Sequence, residues 1–224
     1  MRVGWHGLLQ PLADGIKLLT KEDNIPTNAD RFLFTLAPII ALVPPFAVFV
    51  VIPFGDSVTI FGTEITLYLA DMNVALLFVL GVAGIEVMGV ILAGWASNSK
   101  YAVLGSLRTC AQMISYEIPM GFSVIGVVML AQSMSLVDIV EAQSGLWNVV
   151  YQPLGFFVFF IAAIAEAQRI PFDLPEADGD LGAGYHTEYS GMRFSFFMIS
   201  EYLILVLMSA LIVILFFGGW HGAL

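Results

Sequence analysis

The 224-residue sequence is 59% hydrophobic and only 12% charged, and its mean hydropathy is +0.90. A soluble domain needs a more polar surface than this, so the composition indicates an integral membrane protein. Eight Lys and Arg against eighteen Asp and Glu give a net charge of −10. This charge argues against nucleic acid as a partner, because phosphates require basic patches.

The sequence contains no recognisable cofactor motif. Cys110 is the single cysteine, so it forms no internal disulfide and cannot alone hold an iron–sulfur cluster. His6, His186 and His221 are scattered without the spacing of metal ligands. No Gly-rich turn follows a predicted strand, so no dinucleotide site is visible. We therefore expect no metal, no bound cofactor and no catalytic residue in this chain, and electrons for any redox reaction would come from another subunit.

The first predicted element is an amphipathic helix near the N-terminus. Apolar residues at helical spacing alternate with polar ones: Leu8, Leu12, Ile16 and Leu19 against Gln10, Asp14, Lys17 and Lys21. The segment is too short to cross a bilayer. We expect it to lie in the membrane interface.

Five apolar segments follow, each close to the ~20 residues that span a hydrocarbon core. They run roughly over residues 31–53, 73–95, 109–131, 149–167 and 193–217. The connections are short, and there is no internal repeat. We predict an all-α integral membrane fold, with about five transmembrane helices in a single domain over residues 1–224. In loop 54–72, apolar residues alternate around Gly62, a pattern that predicts a small β-hairpin.

The basic residues predict the orientation. They lie before the first span, between the second and third, and between the fourth and fifth: Arg2, Lys17, Lys21, Arg31, Lys100, Arg108, Arg169 and Arg193. Loops 54–72 and 132–148 contain no Lys or Arg. The positive-inside rule therefore makes the N-terminus and the acidic loop 168–192 cytoplasmic.

Three spans contain a carboxylate. Glu86, Glu117 and Glu201 each lie about eight residues from the cytoplasmic boundary, which is ~12 Å at 1.5 Å per residue. An acid at this depth costs roughly 2.5–3.5 kcal/mol, so it should face the bundle interior or water. One interpretation is a protonated, hydrogen-bonded group that serves packing. The other is a hydrated proton path, because neighbouring buried acids exchange protons near neutral pH.

Glu166 and the loop that follows it also carry acids. Glu166 stands at helical spacing from Arg169, so a surface ion pair and a functional role are both open. Beyond it, acids are interleaved with apolar and aromatic side chains: Phe172, Asp173, Glu176, Asp178, Asp180, Tyr185 and Glu188. Such a run is often a solvated loop. Its aromatic content also suits a wall around a long apolar ligand with a polar head.

Three stretches of the chain closely resemble the H-type membrane subunit of bacterial NADH–quinone oxidoreductase, respiratory complex I. They are GLLQPLADGIKLLTKE at residues 7–22, GWASNSKYAVLGSLRTCAQMISYEI at residues 94–118 and AEAQRIPFDLPEADGDLGAGYHTEYSGM at residues 165–192. The resemblance implies a quinone chamber at the membrane surface and an acidic funnel that leads into the membrane. It also implies quinone as substrate, with NADH, FMN and iron–sulfur clusters held by partner subunits.

The resemblance carries over residue by residue. The implied proton path comprises Glu86, Glu117, Glu166, Asp178, Asp180, Glu188 and Glu201. The chamber is expected at Lys100, Tyr101, Arg108, Arg169, Phe172, Asp173 and Tyr185. The implied partners are the cluster-bearing subunits at the quinone junction, the antiporter-like membrane subunits and the lipid of the inner (plasma) membrane.

The chain departs from the family at several points. Gln168 replaces a usual Asn, Asp178 and Asp180 replace Glu, and Gly182 replaces a common Val. The family has about eight spans, so one N-terminal and two C-terminal helices are expected to be absent from this sequence.

Three alternative functions stay open. The first is the equivalent subunit of a membrane-bound hydrogenase, which would need no quinone. The second is a redox-independent proton or cation transporter, against which the lack of repeats argues. The third is a purely structural anchor.

Overall fold

The computed structural model describes residues 4–60, 63–173 and 184–221. Asp178 and Asp180, with Glu176 and Gly182, lie outside these ranges. The described helices are α1 (Gln10–Thr20), α2 (Arg31–Phe49), α3 (Ala75–Ala96), α4 (Lys100–Ala131), α5 (Leu136–Glu141), α6 (Asn148–Tyr151), α7 (Pro153–Glu166) and α8 (Gly191–Phe216). Single 3-10 turns occur at Trp5–Gly7 and Gly184–His186.

The predicted all-α membrane fold is confirmed. In the described part of the chain, α2, α3, α4 and α8 are long and apolar enough to cross a membrane, and α7 is a shorter apolar helix. The predicted span 149–167 corresponds to α6 and α7 together, which are separated at Gln152 where Pro153 begins α7. A proline at this position fits the first turn of a helix, whose N–H groups have no partner.

Helix α4 begins at Lys100, well before the apolar window that starts at residue 109. The window marks only the part suited to hydrocarbon, whereas the backbone stays helical through the more polar residues 100–108. Helix α1 forms as expected, and its apolar side chains Leu12, Ile16 and Leu19 are exposed. Their contact with a bilayer stays a prediction.

Loop 54–72 contains the predicted hairpin. Strands β1 (Ser57–Ile60) and β2 (Thr63–Thr66) pair antiparallel, with Ser57 opposite Thr66. Two backbone bonds extend the pairing, from Phe54 N–H to Leu67 O and from Leu67 N–H to Asp56 O.

Several segments that contain basic residues lie at one end of the bundle. The N–H of Asp30, which caps α2, donates to Ala96 O at the end of α3 at 3.2 Å. At the start of α8, Arg193 pairs with Asp23 at 3.0 Å. The linker before α2, the turn between α3 and α4, and the start of α8 therefore meet at this end, which we call the basic end.

A buried amide holds the opposite end together. The side-chain N–H groups of Gln143 donate to Ile139 O and to Ile214 O, at 3.0 and 2.8 Å. Its oxygen accepts from the backbone N–H groups of Asn148 and Gly218. Gln143 thus satisfies one of the last carbonyls of α8, which have no partner within the helix.

Candidate functional site

A proline in α2 sets up the surroundings of the first buried acid. Pro45 has no N–H, so the carbonyl of Ala41, one turn earlier, lacks its helical partner. The Ser200 hydroxyl of α8 donates to that carbonyl at 2.8 Å. The same hydroxyl lies 3.1 Å from Glu86 Oε1 on α3. Three helices therefore meet at one hydroxyl group, and Glu86 is only 6% exposed.

Close packing of α2 on α3 makes this contact possible. Gly89 lies one turn from Glu86, and a Cβ placed there would come within 2.7 Å of the Ala41 backbone nitrogen. Any side chain larger than hydrogen would push the two helices apart. Glycine at such positions is typical of close helix packing in membranes.

Glu86 shares an enclosed cavity with Glu166. The cavity has a volume of about 20 Å³, and Pro44 and Pro45 form part of its apolar wall. This is room for about one water molecule. Glu166, at the end of α7, is 4% exposed, and its Oε2 has no hydrogen-bond partner among the described residues. The two carboxyl groups are close enough to interact electrostatically.

Glu166 forms no ion pair with Arg169, so that interpretation of their spacing is wrong. Helix α7 ends at Glu166, Gln168 takes a left-handed conformation with φ 50°, and Arg169 N–H bonds back to Ile164 O at 3.2 Å. The turn directs Arg169 away from the cavity. Its guanidinium lies over the ring of Tyr202 on α8, 4.8 Å from the ring centroid.

Glu117 of α4 lies against α3 near the same level. A Cβ on Gly84 would lie 3.4 Å from Glu117 Oε1, so the carboxyl group occupies space that the glycine leaves open. Gly84 is two residues from Glu86 in sequence, which places the two acids at similar depth. Glu117 is half-buried and interacts electrostatically with Glu166. The structure thus brings Glu86, Glu166 and Glu117 together.

Glu201 occupies a neighbouring site. The Tyr185 hydroxyl lies 3.4 Å from Glu201 Oε1, and both residues are buried. Tyr185 belongs to the turn Gly184–His186, which rests on α4 at Gly105: a Cβ there would be 2.8 Å from Gly184 Cα. Glu201 is therefore linked to the loop before α8.

The expected chamber residues lie on more than one surface. Lys100, Tyr101 and Arg108 are exposed on the first turns of α4. Phe172 packs edge-on against Tyr116 of α4 at 5.0 Å between ring centroids. Asp173 is exposed, and Glu188 is half-buried.

The loop after α7 is fastened to α4. The Gln112 side chain donates to the carbonyl oxygens of Ala165 and Phe172, at 3.0 and 2.9 Å. Phe172 therefore faces α4, whereas Arg169 of the same loop faces α8.

Tyr189, just before α8, is enclosed by aromatic neighbours. Its ring stacks on Phe34 at 4.0 Å between centroids. Burial raises the pKa of the Tyr189 phenol above its ordinary value, although Ser97 and Arg193 act in the opposite direction. The phenol is accordingly neutral at physiological pH.

Two contributors to this region carry no sequence signal of their own. Ser200 and Gln112 are uncharged polar residues whose function is to satisfy backbone carbonyls, and such residues occur anywhere in a chain. Only Pro45 gives a hint, because a proline inside a span frees a carbonyl that some donor must satisfy. Within residues 4–60, 63–173 and 184–221, no group of His, Cys, Asp and Glu is arranged to hold a metal ion.

Comparisons with known proteins identify relatives along the full chain. A family model described as NADH dehydrogenase matches residues 1–224. The chain is 78% identical over all 224 residues to the second H-type subunit of NADH-quinone oxidoreductase from Rhizobium etli, and covers 66% of that protein. It is 77% identical to the second H-type subunit from Rhizobium meliloti, covering 68% of it. It is 58% identical over 221 residues to the first H-type subunit from Geobacter metallireducens, covering 99% of this chain and 67% of that protein. The chain thus spans about two thirds of the length of these relatives.

Proposed function

We propose, since this chain belongs to the NADH dehydrogenase family, that it acts as a membrane subunit of a proton-translocating NADH–quinone oxidoreductase. In this function it contributes the wall of a quinone chamber and an acidic path for protons. The names of its relatives favour quinone as electron acceptor over the hydrogenase alternative.

One observation carries the proposal. Glu86 and Glu166 line the same water-sized cavity, and Glu117 is within electrostatic reach of Glu166. Two buried carboxyl groups and a third that is half-buried, on three apolar helices, are costly for a structure that only needs packing. Neighbouring buried acids share protons, and a change of charge on one alters the others strongly in low dielectric.

The chamber is proposed at the basic end. Lys100, Tyr101 and Arg108, at the start of α4, would form one wall. The loop with Phe172 and Asp173, which Gln112 fastens farther along the same helix, would form the other. Arg169 and Tyr185 are carried over from the resemblance. Tyr185 contacts Glu201, so it offers a link between the chamber loop and the membrane interior.

The proposed coupling is electrostatic. Reduction of quinone changes the charge near the loop before α8, and this change biases protonation at Glu201 and then at the group of Glu86, Glu117 and Glu166. Asp178, Asp180 and Glu188 are proposed members of the same path. The partners would be the cluster-bearing and antiporter-like subunits, and the basic end would face the cytoplasm.

The test compares two activities in inverted membrane vesicles. Glu86→Gln, Glu166→Gln, Glu117→Gln and Glu201→Gln should each leave assembly intact and lower NADH-driven proton uptake by about a hundredfold, the lower end of the range for one proton-transfer group. Because we propose that quinone reduction and proton uptake are coupled, quinone reduction measured without a proton gradient should fall together with proton uptake. Glu64→Gln, an exposed carboxylate on β2, is the matched control and should retain both activities.

Full pumping in all four variants would contradict the acidic path while leaving membership of the complex untouched. Loss of assembly in Glu64→Gln would show that the assay reports folding rather than proton transfer.

A further inference from the structure

The Ser200 hydroxyl group of α8 has two oxygen neighbours and one proton. It lies 2.8 Å from the Ala41 carbonyl of α2 and 3.1 Å from Glu86 Oε1 of α3. A hydroxyl group donates one hydrogen bond and can also accept, whereas a backbone carbonyl only accepts. When Ser200 donates to Ala41, its contact with Glu86 is therefore a hydrogen bond only if Glu86 carries a proton and donates to Ser200.

The Ala41 carbonyl cannot be satisfied by an α-helical or 3-10 hydrogen bond within its own helix. The donor would be the N–H of residue 45 in the first case and of residue 44 in the second, and both residues are proline. Ala41 and Ser200 are each 1% exposed, so bulk water does not reach the carbonyl. The hydrogen bond from Ser200 therefore compensates for both prolines.

Ionisation of Glu86 changes this pattern of hydrogen bonds. A carboxylate only accepts, so Ser200 then faces two acceptors with one proton. Hydrogen bonds to a charged acceptor are roughly twice as strong as those between neutral groups. The Ser200 proton therefore turns to the carboxylate, and the buried Ala41 carbonyl loses its donor.

We infer that Ser200 is a positioning residue that links the proton on Glu86 to the contact between α8 and α2. With Glu86 protonated, hydrogen bonds run from Glu86 through Ser200 to Ala41 and join three helices. With Glu86 ionised, Ser200 binds Glu86 alone, and α8 loses this hydrogen bond to α2. Because such linkage is reciprocal, a movement of α8 against α2 also changes the affinity of Glu86 for a proton.

The charge on Glu86 depends on the acids around it. Glu166 of α7 lines the same cavity, and Glu117 of α4 is within electrostatic reach of Glu166. Helix α2 contributes no acid, and a basic side chain only at its first residue. His186, in the turn that also packs against α3, lies edge-on against Phe194 of α8. A proton that moves among these carboxyl groups therefore changes the charge that Ser200 contacts.

The residue that follows Ser200 connects α8 with the loop before it. The Tyr185 hydroxyl lies 3.4 Å from Glu201 Oε1. Helix α8 thus carries, at adjacent positions, a contact with the loop and a contact with Glu86. The inference deepens the proposed function, because its part in pumping rests on the acidic path. The hydrogen bond from Glu86 to Ser200 does not depend on pumping and can be tested separately.

Infrared difference spectroscopy tests this hydrogen bond in the chain purified with its bound partner subunits. Spectra at low pH minus spectra at high pH show protonated carboxyl groups, and Glu86→Gln identifies the Glu86 band as the one that disappears. Ser200→Ala should move this band to higher wavenumber, because the carboxyl group loses its acceptor. Ser200→Cys has a similar size but is a weak acceptor, and should move it part of the way. Ser209→Ala is the matched control, since the Ser209 hydroxyl, also on α8, donates to Leu205 O of its own helix.

Proton uptake in inverted membrane vesicles tests the functional consequence. Ser200→Ala removes the hydroxyl group, whereas Pro45→Ala keeps it and gives Ala41 a helical donor instead. Both should lower NADH-driven proton uptake by about fivefold, the factor that corresponds to one typical hydrogen bond. Pro45→Ala adds a hydrogen bond to α2, so a loss in this variant is not explained by weaker packing. Ser209→Ala should retain full uptake.

Two results would overturn the inference. The first is a Glu86 band that is absent at low pH or does not move in Ser200→Ala, and the second is full proton uptake in both Ser200→Ala and Pro45→Ala. If the band moves but Glu86→Gln retains full uptake, the acidic path fails and the link between Glu86 and Ser200 stands. Unfolding midpoints identify any variant that fails to fold, and Ser200→Cys and Pro45→Ala then decide the outcome.

Discussion

At the scale of single residues, a hydrogen bond that is lost in one helix is replaced by a side chain from another helix. Pro45 removes a helical hydrogen bond, Ser200 replaces it from another helix, and Glu86 lies beside the replacement. The three residues are far apart in sequence. The prolines and the acid are visible in the sequence, because both are unusual within a span. Ser200 is not, because nothing local marks it as the donor for Ala41.

This arrangement predicts that the contribution of Ser200 to stability depends on the presence of Pro45. Ser200→Ala should lower the free energy of unfolding by about 1–3 kcal/mol, because the buried Ala41 carbonyl then has no donor. In a Pro45→Ala background the new backbone N–H reaches that carbonyl, so Ser200→Ala should cost clearly less. Denaturation of the four proteins in one detergent measures the coupling as a double-mutant cycle. An equal cost of Ser200→Ala in both backgrounds would show that Pro45 does not determine the function of Ser200.

At the scale of elements, apolar length predicted which segments are helical but not where their ends lie. The spacing of Glu166 and Arg169 suggested neighbours on one helix face, and the left-handed turn at Gln168 separates them. Helix α4 begins at Lys100, and its second turn contacts the turn at Gly184 through Gly105. Such ends depend on tertiary contacts, which hydropathy does not record.

The contact of α4 with that turn gives a prediction with a control on the same helix. A Cβ on Gly105 meets the Gly184 backbone at 2.8 Å, so Gly105→Ala should displace Tyr185 from Glu201 and lower the unfolding midpoint. Gly121→Ala finds nothing within 4 Å and should be neutral or slightly stabilising, since alanine favours helix by about 1 kcal/mol. Thermal unfolding and quinone reduction measured on both variants give the comparison. If Gly105→Ala left the unfolding midpoint and quinone reduction unchanged, the turn would be able to move without loss of stability.

At the scale of the whole molecule, the basic residues distinguish one end of the helix bundle from the other. Arg31, Lys100 and Arg193 lie in the first turns of α2, α4 and α8, which meet at the basic end, as the contacts of Asp30 and Arg193 show. The opposite end carries acids and no Lys or Arg in loops 54–72 and 132–148. The sequence predicted this division because loop charge is countable without a structure. It did not predict which acids share a cavity, because that depends on how α3, α4 and α7 are rotated against one another.

The polarity can be measured by labelling two engineered cysteines, each placed in a background of Cys110→Ala. Arg31→Cys lies at the basic end and Glu141→Cys at the opposite end, and both positions are exposed. A membrane-impermeant maleimide should label Glu141→Cys in spheroplasts, and label Arg31→Cys only in inside-out vesicles, because basic loops are retained in the cytoplasm. Labelling after detergent treatment controls for the reactivity of each thiol. The reverse pattern would place the proposed quinone chamber on the outer side, where NADH-linked partner subunits could not reach it.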